Sequence, residues 1–181
     1  MRFFRVLIPA AFALLVLALS PAARAQAPAD STKAPSADSL GSALLNDFNK
    51  DFDVVFKATK AALEGLGYEV NYASKKRMMI ETAFKELAHE DDFFDVMEKL
   101  GDIPYIRSPG WTVGRTRVTI NFSQLDSSRV EVKLIAVMSG YEARFTNQWH
   151  YWKSNGKIEQ QAMDAVVAAV EATDKQTANG Q

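Results

Sequence analysis

The spacing of apolar residues changes twice along this chain, from a helical period to a strand period and back again. Apolar side chains recur at steps of three and four over residues 52–66, which predicts an amphipathic helix lying on the core. Asp51 is its expected N-cap, and residues 43–48 are expected to form a short leading strand. A second stripe over residues 158–170 predicts a long C-terminal helix that begins near residues 154–156.

Between the two helices the apolar period is two. Alternation over residues 70–72, 80–84, 118–122 and 130–134 predicts four half-buried strands joined by short turns. The last strand continues over residues 135–138 with apolar residues on both faces, so we expect this far end of the strand to be covered. Short connections favour antiparallel hairpins. We therefore predict an α+β fold, in which an antiparallel sheet packs against an N-terminal and a long C-terminal helix in a helix-grip-like arrangement.

Residues 87–110 interrupt this pattern as an insertion. After an acidic run at 90–92, apolar residues from Phe93 to Leu100 fall at helical spacing and predict a helix of about ten residues, too short to be stable alone. The favoured interpretation is that this helix docks across an open end of the same core. The alternative is a lid or partner-binding element, since long insertions in compact domains are often functional.

Residues 141–152 are unusually rich in aromatic side chains. A further edge strand is expected near residues 149–152, and its alternation sends Trp149 and Tyr151 to one face and His150 and Trp152 to the other. Packing within the sheet is the favoured interpretation, and a partly exposed binding patch is the alternative. The candidate partner-binding residues are Phe93, Phe94 and Met97 of the insertion, and Trp149, Tyr151 and Trp152 of the aromatic strand.

The first 25 residues have the layout of a cleaved secretory signal. Arg2 and Arg5 precede an apolar run at 6–19, and Ala23-Arg24-Ala25 supplies small residues for cleavage. We therefore expect a periplasmic or secreted protein with no transmembrane span after cleavage, while an uncleaved anchor is the alternative. We divide the rest of the chain into a disordered linker at 26–42, a single α+β domain at 43–172 and a disordered tail at 173–181.

The composition of the chain excludes several kinds of chemistry and points to none. Without residues 1–25 the chain keeps 18 basic and 22 acidic residues, a net charge of −4, which is unsuited to nucleic acid. The chain has no cysteine, hence no disulfide and no lipid on cysteine. No nucleophile, phosphate-binding or dinucleotide motif is present, and His89 and His150 lack the partners of a metal site. We expect no metal, no cofactor and no enzyme activity. A catalytic pair of carboxylates stays an open alternative, because the two residues need not be close in sequence.

Several stretches of the chain together resemble a known family. Residues 52–58 open a helix that ends in Leu63-Glu64-Gly65-Leu66-Gly67, residues 75–80 follow it, and the closing helix begins with Ser154-Asn155-Gly156. This arrangement resembles the helix-grip domains of BamC-like outer-membrane assembly lipoproteins. The resemblance implies a non-catalytic periplasmic module that works beside a cell-envelope protein complex. The chain departs from that family in having no lipid-bearing cysteine, one domain and the acidic insertion.

From these observations we predict a non-catalytic periplasmic binding or assembly module of the bacterial cell envelope. The alternative is a carrier that holds a small apolar ligand or lipid in a cleft between the sheet and the C-terminal helix.

Overall fold

The structure, a computed structural model, describes residues 43–104 and 110–179 of the chain. The strands of its single seven-stranded sheet are β1 (Leu44–Phe48), β2 (Val70–Ser74), β3 (Met79–Thr82), β4 (Lys85–His89), β5 (Trp111–Asp126), β6 (Arg129–Glu142) and β7 (Gln148–Lys153). The helices are α1 (Phe52–Gly65), α2 (Phe93–Met97) and α3 (Lys157–Asn179). A single 3-10 turn, Glu90–Asp92, leads into α2.

The long strands β5 and β6 form the centre of the sheet. The strand order is β1-β6-β5-β3-β2, with β7 also paired to β6 and β4 also paired to β5. Every pairing is antiparallel. β1 and β7 therefore lie end to end along the free side of β6, as β3 and β4 do along β5. The two central strands pair directly with every other strand except β2, which pairs with β3.

The helices α1 and α3 cover one face of this sheet, which we call the inner face. Val55 and Leu63 of α1 and Val166 of α3 are fully buried in the same core cluster as Ile120 of β5 and Leu134 of β6. Side chains alternate along a strand, so the intervening residues of β5 and β6 point to the opposite, outer face. The predicted fold class, an α+β fold with a helix-grip-like arrangement of two helices on an antiparallel sheet, is confirmed.

Several boundaries differ from the sequence prediction. The sheet continues to His89, past the predicted start of the insertion at 87, because an irregularity in the register between Glu86 and Ala88 breaks the alternation that the prediction used. The long helix continues to Asn179, although residues from Thr173 were predicted to form a loose tail. The Thr173 hydroxyl donates to the Ala169 carbonyl (3.0 Å), and no proline or glycine stops the helix before residue 180.

The predicted signal segment (1–25) and linker (26–42) lie outside the described residues. Across residues 43–104 and 110–179, no helix has the length and apolar character needed to cross a membrane.

Candidate functional site

The insertion helix α2 lies against the inner face, at the end of the sheet that α1 and α3 leave open. Phe93 and Met97 are fully buried. The Phe93 ring stacks on Trp111, with 5.0 Å between centroids, and meets the edge of Trp152 at 6.4 Å. The favoured interpretation of the insertion, docking across the end of the same core, is therefore confirmed.

Two strand glycines make room for this docking. A Cβ on Gly140 would lie 2.7 Å from the Phe93 ring and 2.8 Å from the Trp152 ring. A Cβ on Gly114 would lie 2.5 Å from the Met97 sulfur. Glycine inside a strand often marks the close approach of another group, so Gly114 and Gly140 are the sequence signal that could have indicated this docking site.

The burial of these aromatic residues corrects part of the predicted contact surface. Phe93, Met97, Trp149 and Trp152 are buried and not available to a partner, while Phe94 and Tyr151 are half-buried. The physical reason is the length of α2, since a helix of five residues gains its stability from the side chains it buries. The residues of α2 lie on the inner face and Trp149 and Tyr151 lie on the outer face, so the two predicted groups do not form one contact surface.

Trp149 and Tyr151 lie on the outer face, as their alternation in β7 predicts. Trp149 forms a small cluster there with Val113 and Tyr141, and Tyr151 packs against it. The guanidinium carbon of Arg115 lies 3.3 Å from the centroid of the Trp149 ring and 3.9 Å from that of Phe84, and Arg115 Nε donates to Ser139 Oγ (3.0 Å). A cation stacked between two rings gives this cluster a fixed geometry.

The turn between β6 and β7, residues 143–147, is held by a buried carboxylate. Glu142 is fully buried, and its oxygens accept hydrogen bonds from the backbone N–H groups of Arg144 (3.0 Å), Phe145 (2.9 Å) and Thr146 (2.6 Å). The Thr146 hydroxyl donates to the same carboxylate at 2.9 Å. Charge-assisted bonds of this kind are stronger than neutral ones, so the turn is rigid.

A side chain of β6 adds to this support. The Tyr141 hydroxyl donates to Asn147 Oδ1 (2.6 Å), and Asn147 takes a left-handed conformation (φ 51°) that asparagine tolerates. On this rigid turn the Phe145 side chain is 70% exposed, and the Arg144 guanidinium lies 5.6 Å from its ring centroid. We call residues 143–147 the hairpin turn. It was not among the predicted site residues, because nothing in the sequence pattern reveals that Glu142 is buried beneath it.

A second buried carboxylate, Glu159 of α3, also bonds to the backbone. Its oxygens accept from the Ala136 N–H (3.2 Å) and the Ser154 hydroxyl (2.6 Å). Ala136 lies where β6 lacks a neighbouring strand, since β1 pairs with β6 up to Leu134 and β7 pairs from Val137. Burial, and then the nearby charge of Glu159, raise the pKa of Tyr68 to about 12. In this arrangement Glu142 and Glu159 replace missing backbone partners.

The two histidines take part in local contacts. The His89 N–H donates to Asp92 Oδ1 (2.7 Å), which caps the 3-10 turn, and the Thr146 hydroxyl lies 2.7 Å from His150 Nε2. Within residues 43–104 and 110–179 there is no cluster of three or more His, Asp or Glu side chains that could hold a metal ion. The expectation of no metal and no cofactor remains a prediction.

Comparisons with known proteins add little to this geometry. No protein-family model matches the chain, and no curated protein matches it. Among solved structures it is similar to a TBP-like protein from Parabacteroides distasonis, with 12% sequence identity over 76% of this chain and 88% of that chain, at a TM-score of 0.30. A likeness of this size supports no inference about function.

Proposed function

We propose that this chain is a non-catalytic binding or assembly module of the bacterial cell envelope, exported to the periplasm, and that the hairpin turn is its contact with a protein partner. The observation that carries this proposal is the construction of the turn around Glu142. Removing a carboxylate from water is unfavourable, and here the buried charge serves to fix the backbone that presents Arg144 and Phe145.

A single exposed apolar side chain is ordinary on a protein surface, so the exposure of Phe145 alone would mean little. Phe145 differs from such a side chain because hydrogen bonds to the Glu142 carboxylate fix the backbone that carries it. Aromatic and arginine side chains dominate the binding energy of protein interfaces, and a fixed turn loses little conformational entropy when it binds. The envelope location is supported by the signal-like residues 1–25 and by the resemblance to BamC-like lipoproteins.

The carrier alternative requires space between the sheet and α3. The inner side of α3 is closely packed, since Ile158, Ala162, Met163, Val166 and Val170 are all at most 4% exposed. A ligand would have to displace the helix from the sheet. We therefore propose the protein-binding function ahead of the carrier function.

Photo-crosslinking in living cells tests the proposal. A photoreactive phenylalanine analogue replaces Phe145 in the full chain, expressed in a Gram-negative host and its native organism. The matched control carries the analogue at Leu125, which is 43% exposed near the end of β5, beside the turn at the other end of β6. We expect an adduct with an envelope protein from position 145 only. Equal adducts from both positions, or none from 145, would contradict the proposed contact.

Two further measurements separate the alternatives. Cell fractionation with mass spectrometry of the N-terminus shows whether residues 1–25 are removed and whether the protein reaches the periplasm. Native mass spectrometry of the protein purified from that compartment tests the carrier function, because a carrier retains a bound lipid of defined mass. A retained lipid together with no adduct from position 145 would favour the carrier over the assembly module.

A further inference from the structure

The sheet has a regular edge at β1. All five residues of β1 pair with β6 without an irregularity. The edge strands β2 and β4 differ, because the register of β2 shifts between Val70 and Tyr72 and that of β4 shifts between Glu86 and Ala88. Such irregularities twist an edge and protect it from pairing with a further strand. β1 therefore has the geometry that accepts another strand.

The hydrogen bonds of β6 show which backbone groups of β1 face outward. The Ala136 N–H is not used by β5, since it donates to the Glu159 carboxylate (3.2 Å). Bonding direction alternates along a strand, so every second residue of β6 from Ala136 points to the β1 side. Leu45 and Asp47 lie opposite the residues in between, and their N–H and C=O groups therefore point to the open edge. Within the part of the chain that the structure describes, these groups have no hydrogen-bond partner.

The side chains at this edge combine an exposed apolar residue with an uncompensated charge. Leu45 is 54% exposed, and on the same outer face Asp47 lies directly opposite Glu131 of β6. Residues in such a position have Cβ atoms about 4.5–5.5 Å apart, and like charges there are destabilising. Among the described residues neither carboxylate has an ion pair or a hydrogen bond, and Lys133, opposite Leu45, pairs with neither of them. A cation beside Asp47 would relieve this repulsion.

The charges decide between two kinds of added strand. A second copy of β1 in antiparallel register would place Ala43, Leu45 or Asp47 opposite Asp47, and none of these supplies a cation. A strand of another protein with a basic residue at that position does supply one. We propose that the edge of β1 binds an extended segment of a protein partner, antiparallel to β1, with Lys or Arg opposite Asp47 and, two residues later, an apolar residue opposite Leu45.

This contact is separate from the hairpin turn. β1 pairs with the first half of β6, whereas the hairpin turn follows the last residue of that strand. In strand addition the backbone hydrogen bonds provide affinity and the alternate side chains provide specificity. The inference therefore does not depend on the proposed function, and each contact can be tested without the other.

Titration with a synthetic peptide tests the inference. The probe is the acetylated, amidated peptide Thr-Thr-Lys-Thr-Leu-Thr-Thr, and its matched control has Glu in place of Lys. By NMR titration of the whole protein, the Lys peptide should bind about tenfold more tightly, because an attractive cross-strand pair replaces a repulsive one. Asp47→Lys should reverse this preference. Asp91→Lys, exposed in the 3-10 turn away from β1, should leave it unchanged. A preference that survives Asp47→Lys would overturn the inference.

Amide exchange shows where the peptide binds. At saturation with the Lys peptide, the Leu45 and Asp47 amides should exchange about tenfold more slowly, while the Asn46 amide, already bonded to β6, should not change. Leu45→Pro removes an outward N–H without disturbing the pairing with β6, so it should weaken binding, whereas Leu45→Val should bind as wild type. No binding of the Lys peptide at millimolar concentration, or protection only elsewhere, would refute the site. A dimer of this protein that Leu45→Pro abolishes in sedimentation would assign the edge to a second copy and refute the proposed partner.

Discussion

Replacing Gly140 with alanine tests whether the insertion helix is locked into the core. The new Cβ would lie 2.7 Å from Phe93 Cζ and 2.8 Å from the Trp152 ring, while carbon atoms in good contact are about 3.5–4.0 Å apart. Neither ring can move away easily, because Phe93 is stacked on Trp111 and fully buried. Overpacking of this kind lowers the free energy of unfolding by about 1–3 kcal/mol.

Urea unfolding followed by tryptophan fluorescence measures this loss. The slope of the unfolding free energy against urea concentration should stay unchanged if the folded state remains compact. The matched control is Gly65→Ala at the end of α1, where a Cβ would meet nothing within 4 Å and φ is not positive. It should be neutral or stabilise by up to about 1 kcal/mol. Gly114→Ala should also lose stability, because its Cβ would lie 2.5 Å from the sulfur and 2.7 Å from Cγ of the fully buried Met97. A Gly140→Ala variant as stable as the wild type would show that Phe93 is not held where the structure places it.

Three further substitutions test the polar interior and the hairpin turn. Because burial raises the pKa of Tyr68 to about 12 while the unfolded value is about 10, the folded state keeps the proton longer and loses about 2–3 kcal/mol of stability between pH 10 and 12. Alkaline unfolding of Tyr68→Phe should lack that loss, while the half-exposed Tyr72→Phe should behave as wild type. Glu159→Gln should destabilise by about 1–3 kcal/mol and, in a spectroscopic titration, bring the Tyr68 pKa closer to 10; an unchanged pKa would contradict the electrostatic link. Glu142→Gln should speed hydrogen exchange at the Phe145 amide, and unchanged exchange would show that the carboxylate does not hold the turn.

The elements with strong periodicity could be predicted from the sequence. The stripe of α1 predicts its position, and Asp51 is the N-cap residue in the structure, although its side chain makes no capping hydrogen bond. The alternation in β5 and β6 assigns the inner and outer faces correctly, and the same rule separates Trp149 from Trp152. These predictions succeed because a single physical quantity, the burial of one face, determines the pattern.

The missed features depend on contacts between residues distant in sequence. The burial of Phe93 needs the space left by the missing side chain of Gly140. The two residues are distant in sequence, and the β5–β6 pairing is part of what brings them together. Glu142 and Glu159 read as ordinary surface acids, since their burial depends on backbone N–H groups that only the folded chain brings within reach. A pattern of apolar residues carries no information about such polar contacts.

The construction of the two faces limits where a partner can bind this domain. The inner face is filled by side chains of three helices, and at the centre of the outer face Ile135 and Val137 are already buried. Binding at the inner face would therefore require displacing the packed helices, whereas binding at the ends of the long strands would not. Of the turns at these ends, the β6–β7 turn is held by a buried carboxylate, while in the β5–β6 turn the Asp126 carboxylate that accepts the Ser128 N–H (2.9 Å) is solvent-exposed. Hydrogen bonds to the buried Glu142 carboxylate are stronger than those to the exposed Asp126 carboxylate, so the Phe145 end is the more rigid of the two. Association at a rigid, accessible end loses the least conformational entropy.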